Sequence, residues 1–133
     1  MNRRVMIVAA STAALFGYAL GAQQNGRREP MTFSLECTGG DCVLLKGAPQ
    51  TSGMRGGSVK LKPGESVGWH STNDNEEALT ILRGKGVAKI EGHEDVLLQK
   101  KTLAYIPPAT RHNVTNTGDE PMEYVWVVAP VAK

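Results

Sequence analysis

Cysteine is scarce in this sequence, with two residues, and histidine nearly as scarce, with three. Two cysteines exclude a disulfide-dense scaffold and leave one pairing at most. Beyond residue 22 no window of a dozen residues combines helical periodicity with a cap, which excludes a helical bundle. An excess of one charge sign is also missing. The chain carries 15 basic and 13 acidic residues, but Arg3 and Arg4 lie in the leader, so 13 basic residues face 13 acids beyond residue 22. A near-neutral domain gives no electrostatic case for nucleic acid as a partner. Internal repeats and low-complexity tracts are absent, and 133 residues allow one domain.

Long apolar runs occur in one place only. Asn2-Arg3-Arg4 is a short basic segment, and Val5 to Ala22 is apolar and rich in small residues. The polar run Gln23-Gln24-Asn25-Gly26-Arg27-Arg28 follows. That order predicts a secretory signal peptide over residues 1–22 and an exported, periplasmic or extracellular protein. The alternative is a retained membrane anchor over residues 5–22, since the run is just long enough to span. Only in that form would the protein have a membrane partner. Residues 23–36 read as a linker or extended arm, and 37–133 as the folded domain.

The two cysteines stand close together in Glu36-Cys37-Thr-Gly-Gly-Asp-Cys42. In an exported chain, a pair flanking a Gly-Gly turn reads most simply as a disulfide. Closing so short a loop stabilises by about 2 kcal/mol on the chain-entropy model. A redox or metal-binding pair is the other reading, but the spacing is not Cys-x-x-Cys and no histidine is near.

The rest of the chain consists of short apolar runs bounded by Gly, Pro, Asn or Asp. The expected strands are Thr32–Leu35, Val43–Leu45, Gly57–Leu61, Ser66–His70, Glu77–Arg83, Gly86–Glu91, Asp95–Leu98, Thr102–Ile106, Arg111–Asn116 and Glu123–Val128. Polar and apolar positions alternate in Ser58-Val59-Lys60-Leu61 and Val87-Ala88-Lys89-Ile90. Short strands with Gly/Pro turns predict an all-β sandwich or barrel. Arg83-Gly84-Lys85-Gly86 reads as a tight hairpin connection.

Period two then decides which side chains share a face. His70 shares its face with Gly68 and Thr72, Glu77 with Leu79 and Ile81, and His112 with Val114 and Asn116. If those faces line one interior, two imidazoles and a carboxylate meet above apolar residues. Such a triad with open coordination positions suits Fe(II) in oxygen chemistry, or zinc with a bound water. Glu76 is the neighbouring alternative to Glu77. His93 reads as a solvated turn residue, and Trp69, Tyr105, Tyr124 and Trp126 as packing residues. Arg111 should point away from His112.

Two spacings carry a family resemblance. Gly64-x5-His70-x-Thr72-x4-Glu77-x6-Gly84 resembles the first cupin motif, Gly-x5-His-x-His-x3-4-Glu-x6-Gly. Lys101-x5-Pro107-x-Ala109-x2-His112-x3-Asn116 resembles the second, Gly-x5-Pro-x-Gly-x2-His-x3-Asn. The resemblance spans roughly residues 57–128. It implies one double-stranded β-helix, a jelly-roll barrel. It also implies one divalent metal (iron, manganese, zinc, nickel or copper) on His70, Glu77 and His112, and pairing of barrels into a homodimer as one mode of assembly. Thr72 stands where the family has its second histidine, so three of four family ligands are kept. Thr72 and Asn116 are then expected around the site rather than on the metal, with the Thr72 hydroxyl on a water.

Two functions follow from the resemblance. The first is a small exported metallo-cupin acting on a small molecule by oxygenase, isomerase or lyase chemistry. The second is a metal-free small-ligand-binding or structural module.

Overall fold

The computed structural model of the chain describes residues 28–132. The predicted export segment, residues 1–22, lies outside the described residues. Eight strands form: β1 (Asp41–Lys46), β2 (Arg55–Leu61), β3 (Asn75–Arg83), β4 (Lys85–Ile90), β5 (Val96–Gln99), β6 (Leu103–Ile106), β7 (His112–Asn116) and β8 (Met122–Pro130). No helix appears among the described residues. The fold is all-β, a double-stranded β-helix of two facing antiparallel sheets, ordered β1-β2-β8-β3-β6 and β5-β4-β7.

Alternation along each strand sends one set of side chains between the sheets. In β7, His112, Val114 and Asn116 are buried while Asn113 and Thr115 are half-buried. Across the five-stranded sheet the register builds rows on the inner face. Glu77 lies opposite Ile106 and Val128, Leu79 opposite Ala104 and Trp126, and Ile81 opposite Tyr124. Leu79, Ile81, Ile106, Leu98, Val114 and Met122 are almost fully buried and form the floor of the barrel. Removing such side chains from water stabilises by about 1.5–3 kcal/mol each. The apolar core ends at the top row, where Glu77 and His112 replace hydrocarbon.

Three local expectations are corrected. Thr32–Leu35 is not a strand: it pairs with none of the eight strands, and β1 and β8 already occupy both edges of β2, across which it runs. The arm instead borders an apolar groove with Leu45, Val125 and Val127, and the Ser58 hydroxyl donates to the Leu35 carbonyl at 3.1 Å. Ser66–His70 is not a continuous strand either. Gly68 takes φ +92°, which breaks the extended backbone, and only isolated bridges remain, Ser66 to Thr115 and His70 to His112. The turn at Gly84 does not close a hairpin. It is tight, with φ +74°, but β3 pairs with β6 and β8 while β4 pairs with β5 and β7. The turn therefore carries the chain from one sheet to the other.

Cys37 and Cys42 form a disulfide with Cα atoms 5.8 Å apart, fastening the arm to the start of β1.

Candidate metal centre

His70 enters the site through backbone pairing. Its amide donates to the His112 carbonyl at 3.0 Å, and the His112 amide donates back to the His70 carbonyl at 2.9 Å. Directly opposed residues project to the same face, and the two imidazole centroids lie 4.3 Å apart. Glu77 approaches from β3 in the facing sheet. One ligand atom from each of His70, Glu77 and His112 lies within 4.8 Å of the other two. The three residues read from the two motif spacings are thus brought together.

The hydrogen bonds fix which nitrogens face inward. His70 Nδ1 lies 2.9 Å from the Gly68 carbonyl, and His112 Nδ1 lies 3.0 Å from the Thr110 carbonyl. A carbonyl can only accept, so each Nδ1 carries a proton and Nε2 is the nitrogen left to face the site. Orientation of a ring through its other nitrogen is the usual support for a metal-binding histidine. The same geometry recurs at both positions, each using the carbonyl two residues upstream.

His112 is fully buried and Glu77 is 6% exposed, whereas His70 lies at the open rim. His112 Nε2 faces Glu77 Oε2 at 3.0 Å, yet the pair lacks hydrogen-bond alignment and neither atom has a partner elsewhere. Buried polar atoms left without partners are uncommon and call for a physical account. Burial draws the His112 imidazole down, but the Glu77 carboxylate and the Thr110 carbonyl outweigh it, so its pKa stands above the ordinary histidine value. Two inward ring nitrogens and a carboxylate, with two buried atoms unsatisfied, fit a shared divalent cation.

A cavity of about 240 Å³ opens over the cluster. Val114, Tyr124, Trp126 and Val128 give it an apolar wall, and Thr72 and Asn75 contribute a polar lip. Burial, and then the Glu77 and Asp41 charges, hold the Tyr124 phenol well above the usual tyrosine range, so it stays protonated at neutral pH. Tyr124 and Trp126 are therefore wall residues of the cavity. Trp69 and Tyr105, read as packing residues, are 45% and 59% exposed and lie outside it.

Thr72 and Asn116 have different surroundings from those expected. The Thr72 hydroxyl donates to the Asn75 carbonyl at 2.9 Å, and the Asn75 side-chain amide donates to the Thr72 carbonyl at 2.8 Å. Thr72 clasps the turn while lining the cavity. Asn116 sits at the far end of β7 from His112. Its amide donates to the carbonyls of Leu61 and Glu120 at 3.0 and 2.8 Å, and its oxygen accepts from the Gly118 amide at 2.9 Å. It ties strand ends together and does not line the cavity. Glu76 points outward, where Tyr105 donates to it at 3.2 Å, and Arg111 faces Glu91 and the Trp69 ring outside the barrel. The sequence reading missed Arg55, which lines the same cavity from the first residue of β2.

Comparisons with known proteins agree with this architecture. A family model described as the cupin domain matches residues 57–128, more than half of the chain. The chain is 32% identical over 82 residues to the tetracenomycin polyketide synthase protein TcmJ of Streptomyces glaucescens. That match covers 62% of this chain and 54% of TcmJ, so the chain spans only about half of that relative's length. It is 30% identical over 86 residues to an oxalate-binding protein of Thermotoga maritima, covering 65% of this chain and 70% of the relative. Among solved structures, a double-stranded β-helix protein from Klebsiella pneumoniae superposes with a TM-score of 0.64 at 23% identity, covering 77% of this chain and 91% of that one. With the two motif spacings, the two-sheet barrel and the match over residues 57–128 in agreement, the chain belongs to the cupin-domain family.

Proposed function

We propose that this protein is an exported cupin that holds a divalent metal on His70, Glu77 and His112, and through it a small molecule in the cavity. The observation that carries the proposal is the pair of buried, unpartnered atoms, Glu77 Oε2 and His112 Nε2, facing each other at 3.0 Å. A cation accepts electron pairs from both and removes the unsatisfied contact. When bound, the metal supplies a Lewis acid with open positions for the oxygen atoms of a ligand.

The chain's own residues supply the rest. Gly68 and Thr110 hold the two rings with Nε2 inward, and Val114, Trp126 and Val128 exclude water from one side of the ligand. The similarity to an oxalate-binding protein supports a ligand with oxygen donors. Oxygenase, isomerase and lyase chemistry all begin from such a complex.

A binding role without turnover is favoured by one observation. Apart from the triad, the titratable residues lining the cavity are Arg55, Asp41 and Tyr124. Arginine stays charged and Tyr124 stays neutral, so neither moves a proton at neutral pH.

Metal analysis tests the proposal. Protein purified without a histidine tag and reconstituted anaerobically should carry near-stoichiometric metal, and His112→Ala should carry little. Only trace metal in the reconstituted wild type would overturn it.

A further inference from the structure

Arg55 has a position that its place in the sequence does not advertise. It pairs with Val128 of β8, and Val128 pairs on its other side with Glu77 of β3. Directly opposed residues share a face, so Arg55, Val128 and Glu77 form one row across the inner surface. Two strand spacings separate the Arg55 and Glu77 backbones by about 10 Å. Arg55, exposed at the first position of β2, lines the cavity two strands from Glu77 in the same sheet, and no other lysine or arginine lines it.

No carboxylate of the described residues pairs with it. The ion pairs there are Lys60–Glu123, Arg111–Glu91 and His112–Glu77. Asp41, the other acid lining the cavity, is set against Val59, four residues along β2 and about 13 Å away along the strand. The Arg55 stem is accommodated by Gly47, where a Cβ would lie 3.3 Å from Arg55 Cγ.

We infer that Arg55 makes this a site for small organic acids: a carboxylate of the ligand pairs with the guanidinium while oxygen donors at its other end face His70, Glu77 and His112. The planar guanidinium matches a carboxylate with two parallel hydrogen bonds, which an ammonium does not reproduce. A cavity of about 240 Å³ limits the ligand to small molecules. Val128, between Arg55 and Glu77, and Trp126 in the next row down give the space between the two ends an apolar wall that suits a short hydrocarbon link. The inference rests on the proposed metal site for one end of the ligand and on Arg55 for the other.

The test uses calorimetric titration of the protein with oxalate, malonate, succinate and glutarate, and with the uncharged diamide of whichever binds best. Wild type, Arg55→Lys and Arg55→Met are compared after zinc loading, with metal content measured on each sample. The expected result is a diacid whose affinity falls about tenfold or more in Arg55→Met, at unchanged zinc content, with Arg55→Lys intermediate and the diamide indifferent to the substitution. Equal diacid affinity in wild type and Arg55→Met, or no diacid binding by zinc-loaded wild type, would overturn it. Failure of the metal reading shows separately, as absence of zinc from wild type. The same titrations on that metal-free protein then decide on Arg55, because Arg55-dependent binding supports the inference and its absence overturns it. Circular dichroism and zinc content confirm that each variant is folded.

Discussion

His70 and His112 exchange both of their backbone hydrogen bonds, so one ligand from a loop is held in register with another from a strand. The two residues nevertheless differ in burial, and their substitutions should separate accordingly. In metal-free protein, His112→Ala leaves a cavity where a fully buried ring was packed and should cost about 3 kcal/mol of stability. His70→Ala at the exposed rim should cost under about 1 kcal/mol. Both should reduce metal affinity. Urea denaturation with chelator, alongside metal titration, measures the two effects independently.

Thr72 lines the cavity at the position of the family's second motif histidine while clasping its turn. Thr72→His should therefore raise metal affinity by adding a nitrogen donor, at a stability cost of about 1 kcal/mol for the lost hydroxyl bond to Asn75. Competition against a colorimetric chelator reads the first, and thermal unfolding without metal reads the second. Unchanged affinity would show that the turn keeps this position away from the ion.

Lys101 and Ala109 replace the two glycines of the second motif, and both have left-handed backbones, with φ of +67° and +53°. A Cβ is unfavourable in that region. Lys101→Gly and Ala109→Gly should each stabilise the protein by up to about 1 kcal/mol, the relief being partly offset by greater freedom in the unfolded chain. Denaturant midpoints of the two single variants check this directly.

Tyr124 gives the fold an alkaline limit. Burial comes first among the causes that raise its folded pKa above the ordinary tyrosine value near 10. The unfolded chain therefore loses this proton first. The corresponding stability is fully present below about pH 10 and is lost as pH rises toward the folded value. The unfolding free energy of wild type should fall more steeply between about pH 9 and 11 than that of Tyr124→Phe. Parallel curves would show that the phenol is solvated.

Much of the barrel was legible because the two motifs fix the order and spacing of its elements and alternation marks their inner faces. Val114, Leu79 and Ile81 fall where period two puts them. Local sequence reports that Gly84 makes a tight turn, but not that its flanks belong to different sheets. It likewise overstates Ser66–His70, where a single left-handed glycine interrupts an apolar pattern. In the site, the triad was legible because its members sit at motif positions. Arg55 was not, because its relation to Glu77 passes through Val128 and depends on pairing between distant segments. One signal was present: extending the alternation of Leu61 and Val59 backward through Gly57 reaches Arg55.

Glu77 belongs to the five-stranded sheet and His112 to the three-stranded one, so the open end of the barrel is latched by an ionisable contact where the closed end is held by hydrocarbon. Whatever joins these two side chains joins two halves of the molecule. An ion bound between them would restrain the mouth as a whole, and its removal would let one lip move against the other. The breathing of the barrel, visible in amide exchange at His70 and His112, becomes a gauge of the ions around the protein.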